Sequence, residues 1–149
     1  MKTRYFALGI GIFLLLSALI GYIPGLHTPI APDAPNVVVE TPIYGYLLGA
    51  FPNNVIFNIV RLVAGVLGIA AFTNYGAART YSRGLAIAYI LFAVMGLIPG
   101  LNTTFGLLPL YGGNIWLHLL SGLAAAYFGF FVDEPREEQG VPFEQTRQS

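Results

Sequence analysis

Four continuous apolar runs divide the sequence, separated by shorter polar or proline-containing stretches. They cover about residues 5–23, 55–72, 82–98 and 115–132. Each is close to the ~20 residues that a helix needs to cross ~30 Å of hydrocarbon. Helices are favoured over strands because the runs do not alternate, and a lone strand would leave its backbone groups unpaired in lipid. The pattern predicts an all-α, four-helix bundle integral to a membrane, with residues 1–132 as one four-span transmembrane domain.

The amino-acid composition also indicates that lipid surrounds most of the protein surface. The chain is 56% hydrophobic and 9% charged, whereas soluble domains are about 25% charged. No basic patch suggests nucleic acid as a partner. The absence of cysteine excludes disulfides and thiolate metal sites, and two histidines, His27 and His118, are too few for a zinc site of their own.

The basic residues predict the orientation. They lie before the first run, within the second, shortly before or at the start of the third, and after the fourth: Lys2, Arg4, Arg61, Arg79, Arg83, Arg136 and Arg147. Segments 24–53 and 99–113 contain none. The positive-inside rule therefore predicts a multi-pass protein of the cytoplasmic (inner) membrane with both termini cytoplasmic. The polar segment 133–149 is expected to be a disordered cytoplasmic tail.

An internal repeat is visible in the sequence. GYIPGL at 21–26 recurs as GLIPGL at 96–101, and GAFP at 49–52 matches GLLP at 106–109. The second match has an offset of 57 residues. The chain is therefore predicted to consist of two helix-hairpin units in parallel orientation, related by an axis along the membrane normal.

Two shorter features complete the predicted bundle. The apolar segments IYGYLLGAF (43–51) and TTFGLLPL (103–110) are too short to span and are expected to form helices in the outer interface. Pairs of small residues four positions apart allow close helix contacts: Ser17 and Gly21, Ala64 and Gly68, Gly84 and Ala88, Gly122 and Ala126.

Arg61 is the one basic residue that the orientation rule does not explain. Asn54, Asn58 and Arg61 share one face of the second helix, and Asn114 and His118 share one face of the fourth. The repeat places Arg61 opposite His118 at similar depth in the outer half of the membrane. These five residues form the candidate ligand or polar cluster.

Three interpretations of this cluster remain open, and one of them is that Arg61 contacts a partner protein. Arg61 could extend to the outer interface and bind lipid phosphate or loop carbonyl groups. Alternatively, it could lie in a functional polar pocket, with partners among Asn54, Asn58, Tyr89, backbone carbonyls, outer-loop carboxylates (Asp33 or Glu40) and an anionic ligand. His118 is expected to be a hydrogen-bonded structural residue. Axial ligation of haem or chlorophyll by His118 is the remaining alternative, and no cofactor or metal is otherwise predicted.

The motifs resemble a known family. IPGL, GAFPNN and LLPLYGGNIWLHLLSG are similar to a group of small prokaryotic four-span membrane proteins classified as domain of unknown function 4383. The resemblance covers most of residues 5–132 and implies the fold and the membrane location, without an activity. His118 fits the histidine pattern that the family carries on its fourth helix, whereas Phe57 and Arg61 stand where the first half often has histidine. The architecture is also similar, more loosely, to DoxX-type four-helix proteins.

Several functions are compatible with these features. No hydrolase triad, carboxylate pair, phosphate loop or metal-ligand cluster is visible, so a non-enzymatic role is favoured. The leading prediction is an accessory subunit of a larger membrane complex. The alternative is a protein that binds a small ligand, lipid or quinone in an outer-leaflet pocket of Arg61, Asn58 and His118, and the third is a small oligomeric transporter. The expected partners are the bilayer and either other membrane subunits or further copies of the chain.

Overall fold

Four helices occupy the positions of the four apolar runs in a computed structural model, which describes residues 1–38 and 43–133. They are α1 (Lys2–Ile20), α2 (Val55–Ala71), α3 (Tyr75–Leu97) and α4 (Gly113–Ala126), and a π-helical turn, Tyr127–Phe131, continues α4. Helices α1, α3 and the extended α4 are long and apolar enough to cross a membrane, whereas α2 is apolar but has 17 residues. This arrangement is that of a membrane protein.

Asparagine side chains fix where two of the helices begin. Asn54 Oδ1 accepts a hydrogen bond from the Phe57 backbone N–H at the start of α2, and Asn74 Oδ1 accepts one from Ala77 at the start of α3. Helix α3 therefore begins at Tyr75, well before the predicted span at 82. Arg79 and Arg83 lie within this helix and not in a long loop.

The segments between α1 and α2 form a small sheet. Strands β1 (His27–Thr28), β2 (Gly45–Leu47) and β3 (Phe51–Asn53) pair antiparallel in the order β1-β2-β3. A 3₁₀ turn, Pro24–Leu26, precedes β1. We call this end of the bundle, where α1 and α3 end and α2 and α4 begin, the outer end. The protein is thus mostly helical and not all-α.

The interfacial helices predicted at 43–51 and 103–110 are wrong, and the backbone shows why. Leu48 and Gly49 both have positive φ (52° and 73°), as a tight hairpin turn between β2 and β3 requires. Thr104, Phe105 and Gly106 also have positive φ, at 51°, 58° and 89°. Residues in the left-handed backbone conformation cannot continue a right-handed helix, so these segments are not helical despite their apolar composition.

The helices pack mainly in sequential pairs, α1 with α2 and α3 with α4. Glycines allow α1 and α2 to approach closely. A Cβ on Gly11 would lie 2.7 Å from the Ile69 backbone nitrogen and 2.9 Å from the Gly65 carbonyl oxygen. Leu14, Leu85 and Ala125 contribute to the shared core of the bundle. This pairing is what two helix-hairpin units produce, while the repeat symmetry itself stays a prediction.

Arginines bind helix ends at the opposite side of the bundle. Arg4 Nε donates to the Phe72 carbonyl oxygen at 2.7 Å, and Arg79 Nε and Arg83 Nε donate to that of Gly129 at 3.2 and 2.8 Å. Arg79 also forms an ion pair with Asp133 at 3.1 Å. The basic residues of the described chain outside α2 thus collect at one end. The cytoplasmic location of that end stays a prediction, and the predicted tail beyond Asp133 lies outside the described residues.

Candidate functional site

A buried polar cluster lies at the outer end of the bundle. All five residues of the predicted cluster are buried there, and the Arg61 side chain is 3% exposed. Arg61 Nη1 donates to Asn53 Oδ1 at 3.1 Å and Nη2 donates to Asn114 Oδ1 at 3.3 Å. The guanidinium carbon lies 4.0 Å from the centre of the Phe57 ring, a cation–π distance. The protein therefore holds this charge inside the bundle.

Asn114 joins the two halves of the chain. It is the second residue of α4, and its Nδ2 donates to the carbonyl oxygens of Pro52 at 2.6 Å and Pro109 at 2.7 Å. The repeat pairs these two prolines with each other. Both amide hydrogens and the amide oxygen of Asn114 are thus engaged, which fixes its orientation. Arg61 therefore donates to an amide oxygen whose position is fixed by contacts with both helix-hairpin units.

Asn53 is the second acceptor for Arg61 and was not predicted. It is the last residue of β3, so it lies outside the helical spacing that selected the other candidates. Its Nδ2 donates to the Gly21 carbonyl oxygen at 3.2 Å and to His27 Nε2 at 3.0 Å. His27 Nδ1 in turn donates to the Ile23 carbonyl oxygen at 3.0 Å. His27 of β1 therefore orients the Asn53 amide, whose oxygen accepts the hydrogen bond from Arg61.

The guanidinium keeps hydrogen-bonding capacity beyond these contacts. An arginine side chain has five N–H donors, and two of them are used in hydrogen bonds with the described residues. Asn54, Asn58, Tyr89 and Asp33, all predicted as possible partners, do not bond to it, and Glu40 lies outside the described residues. Within the described chain no carboxylate pairs with Arg61.

The remaining asparagines of the cluster differ from each other. Asn54 caps α2, and its Nδ2 donates to the Leu107 carbonyl oxygen at 2.8 Å, so its role is structural. Asn58 is fully buried against Gly21, and neither its amide oxygen nor its amide nitrogen has a hydrogen-bond partner. A buried amide without partners carries a desolvation cost. Asn58 is therefore the asparagine of the predicted cluster whose amide forms no hydrogen bond in the described structure.

Aromatic rings surround His118. The ring centres of Phe57, Tyr89 and Phe92 lie 5.5, 4.9 and 5.5 Å from that of the imidazole, each edge to face. His118 Nδ1 is buried without a hydrogen-bond partner. Phe57 contacts both Arg61 and His118, so it connects the two residues that the repeat pairs. Axial ligation of a haem or chlorophyll would require these rings to move apart, and that role stays an untested prediction.

A cleft of about 540 Å³ reaches Arg61 from the side of the bundle. Its walls come from α1, the β2–β3 hairpin, α2 and α4: Phe13, Leu16, Ser17, Ile20, Leu47, Leu48, Phe51, Arg61 and Leu117. Arg61 is the charged side chain in this lining, and Ser17 supplies a hydroxyl. A second cavity of about 500 Å³ near the α2–α3 turn is lined by residues without charge, including Leu67, Thr80 and Tyr81. The first cleft therefore combines apolar walls with a cation.

A tyrosine pair bridges the two outer segments beside the cluster. The hydroxyl oxygens of Tyr44 and Tyr111 lie 3.3 Å apart. Burial, together with the hydrogen bond to Tyr44, raises the pKa of the Tyr111 hydroxyl. Tyr111 consequently stays a neutral hydrogen-bonding group at physiological pH and offers no phenolate base. Within the described residues, no three histidine or acidic side chains come together to hold a metal ion.

The fold and the site together define a small helical membrane protein with a buried arginine cluster at one end. The family model "Domain of unknown function (DUF4383)" matches residues 4–131, and the chain belongs to this family. No curated protein and no solved structure matches the chain. The looser likeness to DoxX-type proteins therefore has no support beyond the architecture.

Proposed function

We propose that the protein binds an amphipathic anion, with a carboxylate or phosphate headgroup and an apolar tail, in the cleft that reaches Arg61. The observation that carries this proposal is the lining itself, in which apolar side chains surround one arginine with no carboxylate partner in the described chain. This differs from the small-ligand alternative derived from the sequence, because the lining of the cleft contains Arg61 but neither Asn58 nor His118. Asn53 and Asn114 are the residues that orient Arg61.

The headgroup class follows from the chemistry of the guanidinium. Arginine matches planar carboxylate and phosphate oxygens with two parallel N–H groups. A buried charge is costly in a membrane unless it is paired. Asn53 and Asn114 contribute neutral oxygens, so they orient Arg61 without neutralising it. An anion in the cleft supplies the missing charge.

The side chains that line the cleft indicate the chemical class of the ligand's tail. The volume of about 540 Å³ lies within the roughly 300–1,000 Å³ usual for small-molecule sites. Leu16, Ile20, Leu47 and Leu117 are aliphatic, and Phe13 and Phe51 are aromatic, which suits an acyl or isoprenoid chain. A quinone would also fit the apolar walls, with a carbonyl oxygen in place of the anion.

Native mass spectrometry of detergent-solubilised protein tests this function. The probes are palmitate, hexadecyl phosphate and methyl palmitate, which share the chain and differ in charge or headgroup. We expect wild-type protein to bind one or both anions at least about 10-fold more tightly than the ester, since charge-assisted hydrogen bonds contribute about 1.5–3 kcal/mol. Arg61→Met should abolish this preference.

Two further variants serve as controls. Arg83→Met removes a guanidinium at the opposite end of the bundle and should keep the preference for anions. Ser17→Phe fills the cleft without changing Arg61 and should reduce binding of all three probes. Equal binding of acid and ester by the wild type would contradict the anion proposal, and preferential binding of ubiquinone over both anions would replace the anion with a quinone.

The accessory-subunit and transporter roles predicted from the sequence stay predictions. The exposed apolar helix faces are compatible with lipid and with protein partners alike, so they do not favour either role. Gentle solubilisation from native membranes followed by identification of co-purified chains tests the accessory role. Purification of the chain without stoichiometric partners would count against that role and leave the ligand proposal unchanged.

A further inference from the structure

Two large apolar side chains are exposed on left-handed backbone at the outer end. Leu48 is 64% exposed with φ 52°, and Phe105 is 78% exposed with φ 58°. In each case a glycine with positive φ follows directly, Gly49 or Gly106. Turns close these segments, with the Ala50 N–H donating to the Leu47 carbonyl and the Leu107 N–H donating to that of Thr104. Each turn therefore presents a bulky apolar tip.

Such tips are unusual for two separate reasons. A branched or aromatic residue with positive φ carries a steric cost, and glycine, asparagine or aspartate normally occupies this position. An apolar side chain that is exposed to water also contributes no free energy of burial to the stability of the fold. A turn surrounded by water would be expected to carry a polar residue here. Leu48 and Phe105 therefore indicate a favourable contact outside the chain.

The two tips are equivalent in the repeat. Leu48 and Phe105 are 57 residues apart, the same offset that pairs Pro52 with Pro109. If two units are related by an axis along the membrane normal, equivalent residues lie at equal depth. A bilayer is a flat partner that contacts both tips at once, whereas a protein on one side of the bundle would contact one of them.

The surroundings of the tips also fit a lipid surface. Segments 43–53 and 98–112 contain no Asp, Glu, Lys or Arg. Leu48 lines the same cleft as the exposed α1 residues Leu16 and Ile20, so its apolar surface continues that of a membrane-crossing helix. Uncharged segments with protruding apolar and aromatic residues bind at the lipid interface.

We infer that Leu48 and Phe105 insert into the outer leaflet as a matched pair of anchors. The outer sheet and turns then lie in the lipid headgroup region and not in the aqueous phase. Since Leu48 also lines the cleft, the cleft opens to lipid, and its ligand enters from the bilayer. This last step rests on the proposed function, whereas the insertion itself does not.

Spin labels test the insertion in the complete chain. The sequence has no cysteine, so Leu48→Cys and Phe105→Cys each give one labelling site. The labelled proteins are reconstituted in phosphatidylcholine vesicles, and collisions with oxygen and with a water-soluble nickel chelate are compared. Leu120→Cys on the exposed face of α4 is the lipid reference, and Asp33→Cys in the outer loop is the aqueous reference.

We expect the oxygen-to-nickel collision ratios at positions 48 and 105 to be similar to each other, and several-fold above the ratio at position 33. Ratios at both positions equal to the aqueous reference would overturn the inference. Insertion of one tip alone would overturn the matched pair. Phe105→Trp in a Trp116→Phe background provides an independent measurement, since brominated lipids should quench its fluorescence. These readouts need no ligand, so their failure is separate from failure of ligand binding.

Discussion

At the scale of single residues, the polar cluster contains two asparagines with opposite energetic roles. The Asn114 side chain makes three hydrogen bonds, to Arg61 and to the carbonyl groups of Pro52 and Pro109. Asn58 is equally buried and makes none. Removing one partner from a satisfied buried network leaves the others unpaired, whereas replacing an unpaired amide with an apolar group of similar shape removes a penalty.

Leucine substitutions should separate these roles. We expect Asn114→Leu to lower the free energy of unfolding by at least about 2 kcal/mol, because each orphaned buried group costs about 1–3 kcal/mol. Asn58→Leu should leave stability unchanged or raise it in ligand-free protein. Thermal unfolding of both variants in one detergent, followed by circular dichroism, makes the comparison. A large loss of stability in Asn58→Leu would show that its amide has a polar partner in the folded protein.

Part of the site follows from the sequence and part does not. Helical spacing identified Arg61, Asn114 and the common face of α2 because these residues lie in regular helices, where position along the chain determines direction. Asn53 was missed because it lies in a strand whose geometry depends on the turn before it. Its position directly before the Asn54 cap was the available signal, since two adjacent asparagines open the helix that carries the buried charge.

At the scale of helices and strands, the α1–α2 contact depends on glycine. Gly11 faces the backbone of Gly65 and Ile69, while Gly9 on the same helix has no atom within 4 Å of where its Cβ would be. Among the predicted small-residue pairs, Gly68 and Gly122 have such close neighbours and Gly84 has none. In a glycine-rich helix, spacing alone does not separate contact positions from lipid-facing ones.

Alanine at positions 9 and 11 gives a matched pair of variants. We expect Gly11→Ala to destabilise the protein by about 1–3 kcal/mol, as overpacking in a tight contact does. Gly9→Ala should have no effect or stabilise slightly, because alanine favours helix over glycine. Denaturant titration of both proteins in the same micelles measures the difference. Equal stability of the two variants would mean that α1 and α2 do not approach as closely as described.

The elements were predictable to different degrees for physical reasons. Continuous apolar runs located the four helices, since the thickness of the hydrocarbon core sets the length of apolar helix that crosses it. The start of α3 was placed too late because Arg79 and Arg83 lower the local hydropathy, although the Asn74 cap extends the helix across them. The hairpin was missed because Leu48-Gly49 lacks the polar residue that usually marks such a turn.

At the scale of the whole molecule, the described basic side chains outside α2 lie at the end opposite the uncharged turns that carry Leu48 and Phe105. Arg4, Arg79 and Arg83 bind carbonyl groups at the end that holds the α2–α3 turn. Segments 43–53 and 98–112, at the outer end, contain no Asp, Glu, Lys or Arg. The positive-inside rule predicts that the basic end is cytoplasmic, and this prediction puts the Arg61 cluster on the side of the bundle away from the cytoplasm.

Cysteine labelling in intact cells tests this orientation. A membrane-impermeant maleimide should modify Asp33→Cys at the outer end without permeabilisation. Thr73→Cys, in the exposed turn between α2 and α3, should react after the membrane is opened. The cysteine-free parent protein supplies the background. Reaction of Thr73→Cys in intact cells, with Asp33→Cys protected, would reverse the assigned orientation.

The bond between Arg61 and Asn114 has a consequence for biosynthesis. The two residues are 53 positions apart, so Arg61 is synthesised before its second acceptor. At roughly 5–20 residues per second, that interval lasts on the order of 3–10 s. During this interval, Asn53 is the one side-chain acceptor of Arg61 that has already been synthesised. Arg61 therefore has both of its side-chain acceptors only after Asn114, at the start of α4, has been synthesised.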